Sequence, residues 1–151
     1  MVAVLQRVSE GRVKVDKEIV GEIGKGLVIL LGIFENDTVQ EADKLADKTV
    51  NLRIFNDKDD KMNLSLKEVG GKALVISQFT LCADYKKGRR PNYLMAAKPQ
   101  KAEELYLKYV DRIFSAGIKV QTGEFGAMMD VDIMNSGPVT ITLDTKLLSK
   151  A

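Results

Sequence analysis

One uninterrupted apolar run, Leu27-Val-Ile-Leu-Leu-Gly-Ile-Phe34, constrains this chain more than any other feature. Eight residues are too few to cross a bilayer, but they suit a buried strand. A strand of that kind needs other elements around it, and the flanking sequence supplies them. Residues 2–8 alternate weakly and read as a strand. Arg12–Val15 and Glu18–Ile23 read as a hairpin around Asp16-Lys17, a less favourable turn than Asp-Gly because lysine disfavours positive φ. Gly24-Lys25-Gly26 then turns the chain into the buried run.

Thr38-Val-Gln-Glu41 has the spacing of a capping box and opens a helix. Its apolar positions Val39, Ala42, Leu45, Ala46 and Val50 recur three or four apart. The polar cluster Asn56–Lys61 ends that unit. Met62–Val69 reads as a short strand and a helical turn, broken by Gly70-Gly71. Lys72–Gln78 reads as a buried strand centred on Leu74-Val-Ile76. Pro99 suits the first position of a second helix, whose stripe is Ala102, Leu105, Tyr106, Tyr109, Ile113 and Ala116. Gly117 suits its C-terminal cap. Ile118–Gln121, Met128–Met134 and Val139–Leu143 read as closing strands. The expected fold is α+β: a curled, largely antiparallel, barrel-like sheet with two main helices packed on it. With 151 residues, the chain is expected to form one domain, 1–151.

The absence of histidine decides most about chemistry. Ser-His-Asp and Cys-His catalysis are excluded. One cysteine and no histidine leave too few ligands for the common zinc sites. A general base near neutral pH has to be a perturbed carboxylate or lysine, the substrate itself, or water. The single cysteine, Cys82, also excludes an internal disulfide and fits a reducing compartment. No signal-peptide pattern opens the chain, so a cytoplasmic location is expected.

Several motifs fail on inspection. Asp57, Asp59 and Glu68 fall at calcium-loop positions, but Lys61 occupies a ligand position and Met62 replaces the required glycine. Gly21–Gly26 leads into a strand, so it is no dinucleotide fingerprint, and Gly70-Gly71-Lys72 lacks the P-loop spacing. Cys82 has no histidine partner to make it a nucleophile. No cofactor and no metal are expected.

Two runs survive. Ser77-Gln78-Phe79-Thr80-Leu81 follows a buried strand and offers two hydroxyls, an amide and successive backbone N–H groups. Such groups can stabilise an oxyanion without a titrating side chain. Asn135-Ser136-Gly137-Pro138 precedes the last strand and reads as a turn, or as backbone brought close to a ligand. The segment from Asp84 to Lys101 holds six basic residues and one acidic residue, an excess that can neutralise phosphates.

Taken with Ala3–Val8, Gly21–Gly26, Asn51–Phe55, Lys61–Ser65, Lys87–Pro91 and Gly123–Ala127, these runs resemble the D-aminoacyl-tRNA deacylase family along nearly the whole chain. The resemblance implies hydrolysis of the ester joining a D-amino acid, or mischarged glycine, to tRNA. It implies a homodimer with the active site at the subunit interface, no metal and no membrane. It places Ser77, Gln78, Phe79 and Thr80 at the reaction, with Thr80 either the nucleophile or a group that positions water; the lack of a base favours positioning, with the N–H groups of Phe79 and Thr80 binding the carbonyl oxygen. It makes Gly137-Pro138 a cis peptide that excludes L-amino acids from the partner's pocket, held by Arg7, with Asn135, Phe125 and Met129 nearby. It makes Lys86, Lys87, Arg89 and Arg90 contacts to tRNA phosphate. The chain departs from the family pattern at Ser136 and Met128, where many relatives carry an acidic residue. A non-catalytic RNA-binding module on the same scaffold is the alternative reading.

Overall fold

The computed structural model describes residues 1–148. Strand β1 (Val2–Val15) organises the sheet. Residues 2–8 and 12–15, expected as separate segments, are one continuous strand. Along one edge, β1 pairs antiparallel with β8 (Asp130–Asp144). Along the other edge, β3 (Gly26–Gly32) covers Val2–Val8 and β2 (Glu18–Ile23) covers Gly11–Val15, both antiparallel. Two residues, Asp16 and Lys17, join β1 to β2 at φ values of 50° and 69°, so lysine does accept the left-handed position here.

Beyond β3 the sheet changes character. β6 (Lys72–Ser77) runs parallel to β3, and β7 (Val120–Thr122) runs parallel to β6. Parallel neighbours need long crossovers. The first contains helix α1 (Val39–Asn51) and the small hairpin of β4 (Arg53–Asn56) and β5 (Met62–Ser65). The second contains helix α2 (Pro99–Ser115). The sheet curls until β2 approaches β7. A Cβ added to Gly21 would lie 2.6 Å from the Thr122 carbonyl oxygen. The architecture is therefore α+β, with a nearly closed, mostly antiparallel barrel.

The apolar run owes its continuity to two cores. Val28 joins Val8, Val13, Ile23, Leu74 and Ile76 inside the barrel. Leu27, Ile29 and Leu31 point the other way, into the layer beneath the helices with Leu45, Tyr109 and Ile113. A strand buried on both faces has no reason to alternate. Among the described residues, no helix is long and apolar enough to cross a membrane.

Local signals hold the helices in register. The Glu41 carboxylate accepts the Thr38 N–H at 2.6 Å, its half of the capping box with Thr38, and also meets the Thr38 hydroxyl. Pro99 takes the first turn of α2, and Gly117, at φ 92°, follows its end. Strand β4 was not foreseen, since its four residues directly follow the α1 stripe. The final segment differs more. Met128–Met134 and Val139–Leu143, expected as two strands around a turn, are one strand, because β1 keeps pairing on both sides of residues 136–139.

Between the helices, the Thr49 hydroxyl donates to the Leu45 carbonyl at 2.8 Å and therefore accepts from the Tyr109 phenol at 2.7 Å. Tyr109 is fully buried, and burial pushes its phenol pKa upward. Replacing Tyr109 by Phe removes that bond but leaves Thr49 satisfied as a donor. Urea unfolding should show a loss of about 1 kcal/mol for Tyr109→Phe. Tyr109→Ala should cost about 4 kcal/mol because it also leaves a cavity.

Candidate active site

The Ser77–Leu81 run lies where β6 ends. Ser77 pairs with Leu31 of β3, and the Gln78 N–H donates to the Leu31 carbonyl at 2.8 Å. The chain then leaves the sheet through a short 3-10 turn, Phe79–Cys82. Gly32 permits this close approach, since a Cβ there would stand 2.8 Å from the Leu81 Cβ. Within the turn, Leu81 N–H donates to the Gln78 carbonyl at 3.2 Å and Ala83 N–H to the Thr80 carbonyl at 3.2 Å. The first N–H groups of a helical turn have no acceptor within it. Those of Phe79 and Thr80 find none elsewhere among the described residues. The Gln78 side-chain amide donates to the Thr80 hydroxyl at 2.5 Å and so fixes its orientation.

Ser77, Gln78, Phe79 and Thr80 line a cleft of about 660 Å³. Phe125, Met128 and Met129 form another part of its wall, and Tyr93 and Lys98 enter from the segment before α2. Phe79, 60% exposed, meets the Tyr93 ring edge-on, with centroids 5.0 Å apart at 74°. Phe125 leans on Tyr106 at 5.8 Å, and the Tyr106 phenol donates to the Val75 carbonyl at 2.7 Å. Tyr93 and Lys98 are the only titratable side chains among the lining residues. From the sequence, Lys98 counts only among the six basic residues of the 84–101 segment, and Tyr93 is not singled out, although Pro91-Asn92-Tyr93 places an aromatic residue in that basic loop.

Cys82 lies buried below the turn, its thiol donating to the Ile33 carbonyl at 3.4 Å. Burial pushes its pKa up to about 11, so it is protonated at neutral pH and has the reactivity of a structural residue. Asp57 and Glu68 are likewise occupied locally. Asp57 accepts the N–H groups of Asp59 and Lys61, and Glu68 accepts that of Ser65.

The remaining candidates form a separate cluster. In the β1–β8 ladder, Gln6 pairs with Thr140 and Val8 with Asn135. The four residues Ser136–Val139 therefore stand opposite the single residue Arg7, and they bulge out of the sheet. Arg7 Nε donates to the Ser136 carbonyl at 2.9 Å. Arg7 Nη1 donates to the Ile54 carbonyl and to Asn56 Oδ1, each at 3.0 Å. Asn135 closes the neck of the bulge. Its Oδ1 accepts the Val139 N–H at 2.7 Å, and its Nδ2 donates to the Val139 carbonyl at 3.2 Å and to Thr140 Oγ1 at 2.9 Å. Gly137 and Pro138 are exposed at the tip, Gly137 at φ 134° and joined to Pro138 by a cis peptide. They do not line the cleft of their own chain. Lys86, Lys87, Arg89 and Arg90 are exposed in a third place, the loop before Tyr93.

The model of the D-Tyr-tRNA(Tyr) deacylase family matches residues 4–144, which includes both clusters and the basic loop. The chain belongs to this family. A relative from a Sulfurihydrogenibium species, described as a D-aminoacyl-tRNA deacylase, is 57% identical over 98% of this chain and 100% of its own length. One from Bacillus subtilis, described as an inactive D-aminoacyl-tRNA deacylase, is 60% identical over 87% of this chain and 99% of its own length. The solved structure of a c-Myc DNA unwinding element binding protein superimposes with a TM-score of 0.89 at 36% identity, covering 95% of this chain and 98% of that one. These relatives thus include one described as a deacylase and one described as an inactive deacylase, and the geometry of each site matters.

The Asn135 clamp makes a local prediction. Asn135→Ala removes the acceptor of the Val139 N–H, so that amide should exchange with deuterium about tenfold faster. Amides in the β1–β3 ladder should keep their wild-type protection.

Proposed function

We propose that this chain hydrolyses the ester of D-aminoacyl-tRNA, and of mischarged glycyl-tRNA, releasing the amino acid and the tRNA. The carrying observation is the pair of N–H groups on Phe79 and Thr80, residues that line the cleft and whose N–H groups have no acceptor among the described residues. An aminoacyl ester is already activated, so donors held where negative charge develops can do much of the work. Removing one such donor elsewhere costs a factor of about 100 to 1000, or roughly 3–4 kcal/mol. Gln78 holds the Thr80 hydroxyl to orient water, and the neighbouring ribose hydroxyl of the tRNA assists proton transfer. A tRNA substrate supports the expected cytoplasmic location.

In this proposal, selection against L-amino acids belongs to the Gly137-Pro138 tip. The tip projects away from its own sheet, and Arg7 and Asn135 make it rigid. A second copy of the chain would receive it, giving a homodimer with each cleft completed by the partner's tip. Rejection then rests on a clash with backbone, while a D side chain leaves by an open path. Lys86, Lys87, Arg89 and Arg90 bind phosphate without reading sequence.

The second reading, an RNA-binding module without turnover, draws support from the inactive Bacillus subtilis relative. Incubation with D-Tyr-tRNA and L-Tyr-tRNA separates the two. Rapid hydrolysis of the D ester alone is expected, and binding without hydrolysis of either would favour the module. Gly137→Ala is the matching variant. A Cβ at Gly137 would lie 2.8 Å from Arg7 Nη2 and 2.9 Å from Val139 Cγ2, at a φ that L side chains rarely adopt. The discrimination ratio should fall by about tenfold or more, the equivalent of 1.4 kcal/mol.

The role of Thr80 has its own test. As a positioning group, Thr80→Ala should retain turnover within about tenfold of wild type, and no acyl-enzyme should be trapped on acid quench. Complete loss of activity with a trappable acyl-enzyme in the wild type would make Thr80 the nucleophile.

A further inference from the structure

The loop before the cleft contains a residue that no step so far uses. Asp84 and Asn92 form a two-bond bridge, N–H to carbonyl in both directions at 2.8 and 2.9 Å. Residues 85–91 leave the body of the protein between those anchors. The Asp84 carboxylate turns inward to accept the Lys86 N–H at 3.1 Å. Lys86, Lys87, Arg89 and Arg90 are exposed, and none pairs with a carboxylate among the described residues. At the head of this excursion stands Tyr85, 79% exposed, with no ring partner and no hydrogen bond among the described residues.

A lone exposed tyrosine is ordinary. Two features set this one apart. Four uncompensated cations follow it within five residues, and the bridge ties it to the cleft. From Tyr85 the path runs one residue to Asp84, across the bridge to Asn92, and one residue to Tyr93, which packs on Phe79. Two chain steps and one antiparallel crossing bound the Cα separation of Tyr85 and Tyr93 at about 13 Å. An aromatic face beside a track of cations is the means by which proteins hold unpaired nucleic acid. The ring stacks on a base, and the cations follow the backbone.

We infer that Tyr85 is a stacking platform for a base of the unpaired 3′ strand of the RNA substrate, next to the terminal nucleoside whose ester enters the cleft. The inference rests on the proposed RNA-ester substrate and adds a residue and a mode of recognition to it. The contact is tolerant of base identity, because every base presents a π face, and it uses the ring of Tyr85 and not its hydroxyl. Tyr85 is a positioning residue: it touches the strand and stays clear of the reacting atoms.

The test uses Tyr85→Ala and Tyr85→Phe in the full chain, with two substrates and one probe. The substrates are D-Tyr-tRNA and D-tyrosyl-adenosine, which ends before the platform. The probe is a short single-stranded RNA carrying a fluorescent adenine analogue that is quenched on stacking. For Tyr85→Ala, the probe should bind about tenfold more weakly and lose its quench, and KM for D-Tyr-tRNA should rise by a similar factor with kcat unchanged. Tyr85→Phe should match wild type throughout, and all three proteins should treat D-tyrosyl-adenosine alike. Unchanged probe binding and quench in Tyr85→Ala would overturn the inference. So would an equal defect on D-tyrosyl-adenosine, which marks a structural role. If wild type hydrolyses neither ester yet quenches the probe in a Tyr85-dependent way, the deacylase reading fails and the platform stands.

Discussion

The molecule depends on how β1 is paired. One edge of that strand is shared between β3 and β2, and the other is held by β8 over nearly its whole length. A smaller register shift falls between Val8 and Glu10, and the main interruption falls at Arg7. There β8 gives four residues to one, and a guanidinium ties the excess to β1 and to the end of β4. A turn at that point would have ended the strand. A clamped bulge keeps the strand running and sets a short piece of rigid backbone outside the sheet. Bulges of this kind re-aim backbone at defined places, and this one has its hydrogen bonds made within the chain.

The cleft has the complementary character. Its floor is the end of β6, positioned by the strand buried on both faces, and its walls are mostly aliphatic and aromatic. With no histidine in the chain and Cys82 buried and protonated, the proposed chemistry rests on backbone dipoles and hydroxyls, with Tyr93 and Lys98 the titratable side chains of the lining. Such groups act without changing charge and need little reorganisation when charge develops on a bound ester. The proposed division of labour follows the two clusters: the end of β6 would offer N–H donors, and the bulge would offer backbone for shape. One chain holds the two clusters apart, and the proposed dimer would bring them together.

Much of this was legible in the sequence wherever the signal is local. The capping box at Thr38, Pro99 at the start of α2, the two helical stripes and the run at 27–34 all mark elements that formed where expected. Continuity was not legible. Asn135-Ser136-Gly137-Pro138 has the composition of a turn, and only pairing with β1, some 130 positions away, keeps it within a strand. β4 was missed for a related reason, since four residues carry too little periodicity. For the site, the Ser77–Thr80 run could be located, as could the loop of cations. That Tyr93 and Lys98 reach the cleft was not legible, because what brings them there is the path from the 3-10 turn to α2 and not any pattern of their own. The separation of Arg7, Asn135, Gly137 and Pro138 from the cleft of the same chain is likewise a property of the fold.

The most direct measurement is a crystal structure with a hydrolysis-resistant analogue, D-tyrosine joined through an amide to the terminal adenosine. The carbonyl oxygen should lie about 2.7–3.1 Å from the N–H groups of Phe79 and Thr80. The Gly137-Pro138 tip of a second copy should close over the α-carbon on the side where an L side chain would project. A ligand bound with its carbonyl turned away from those N–H groups, or a cleft complete without a partner's tip, would contradict this mechanism.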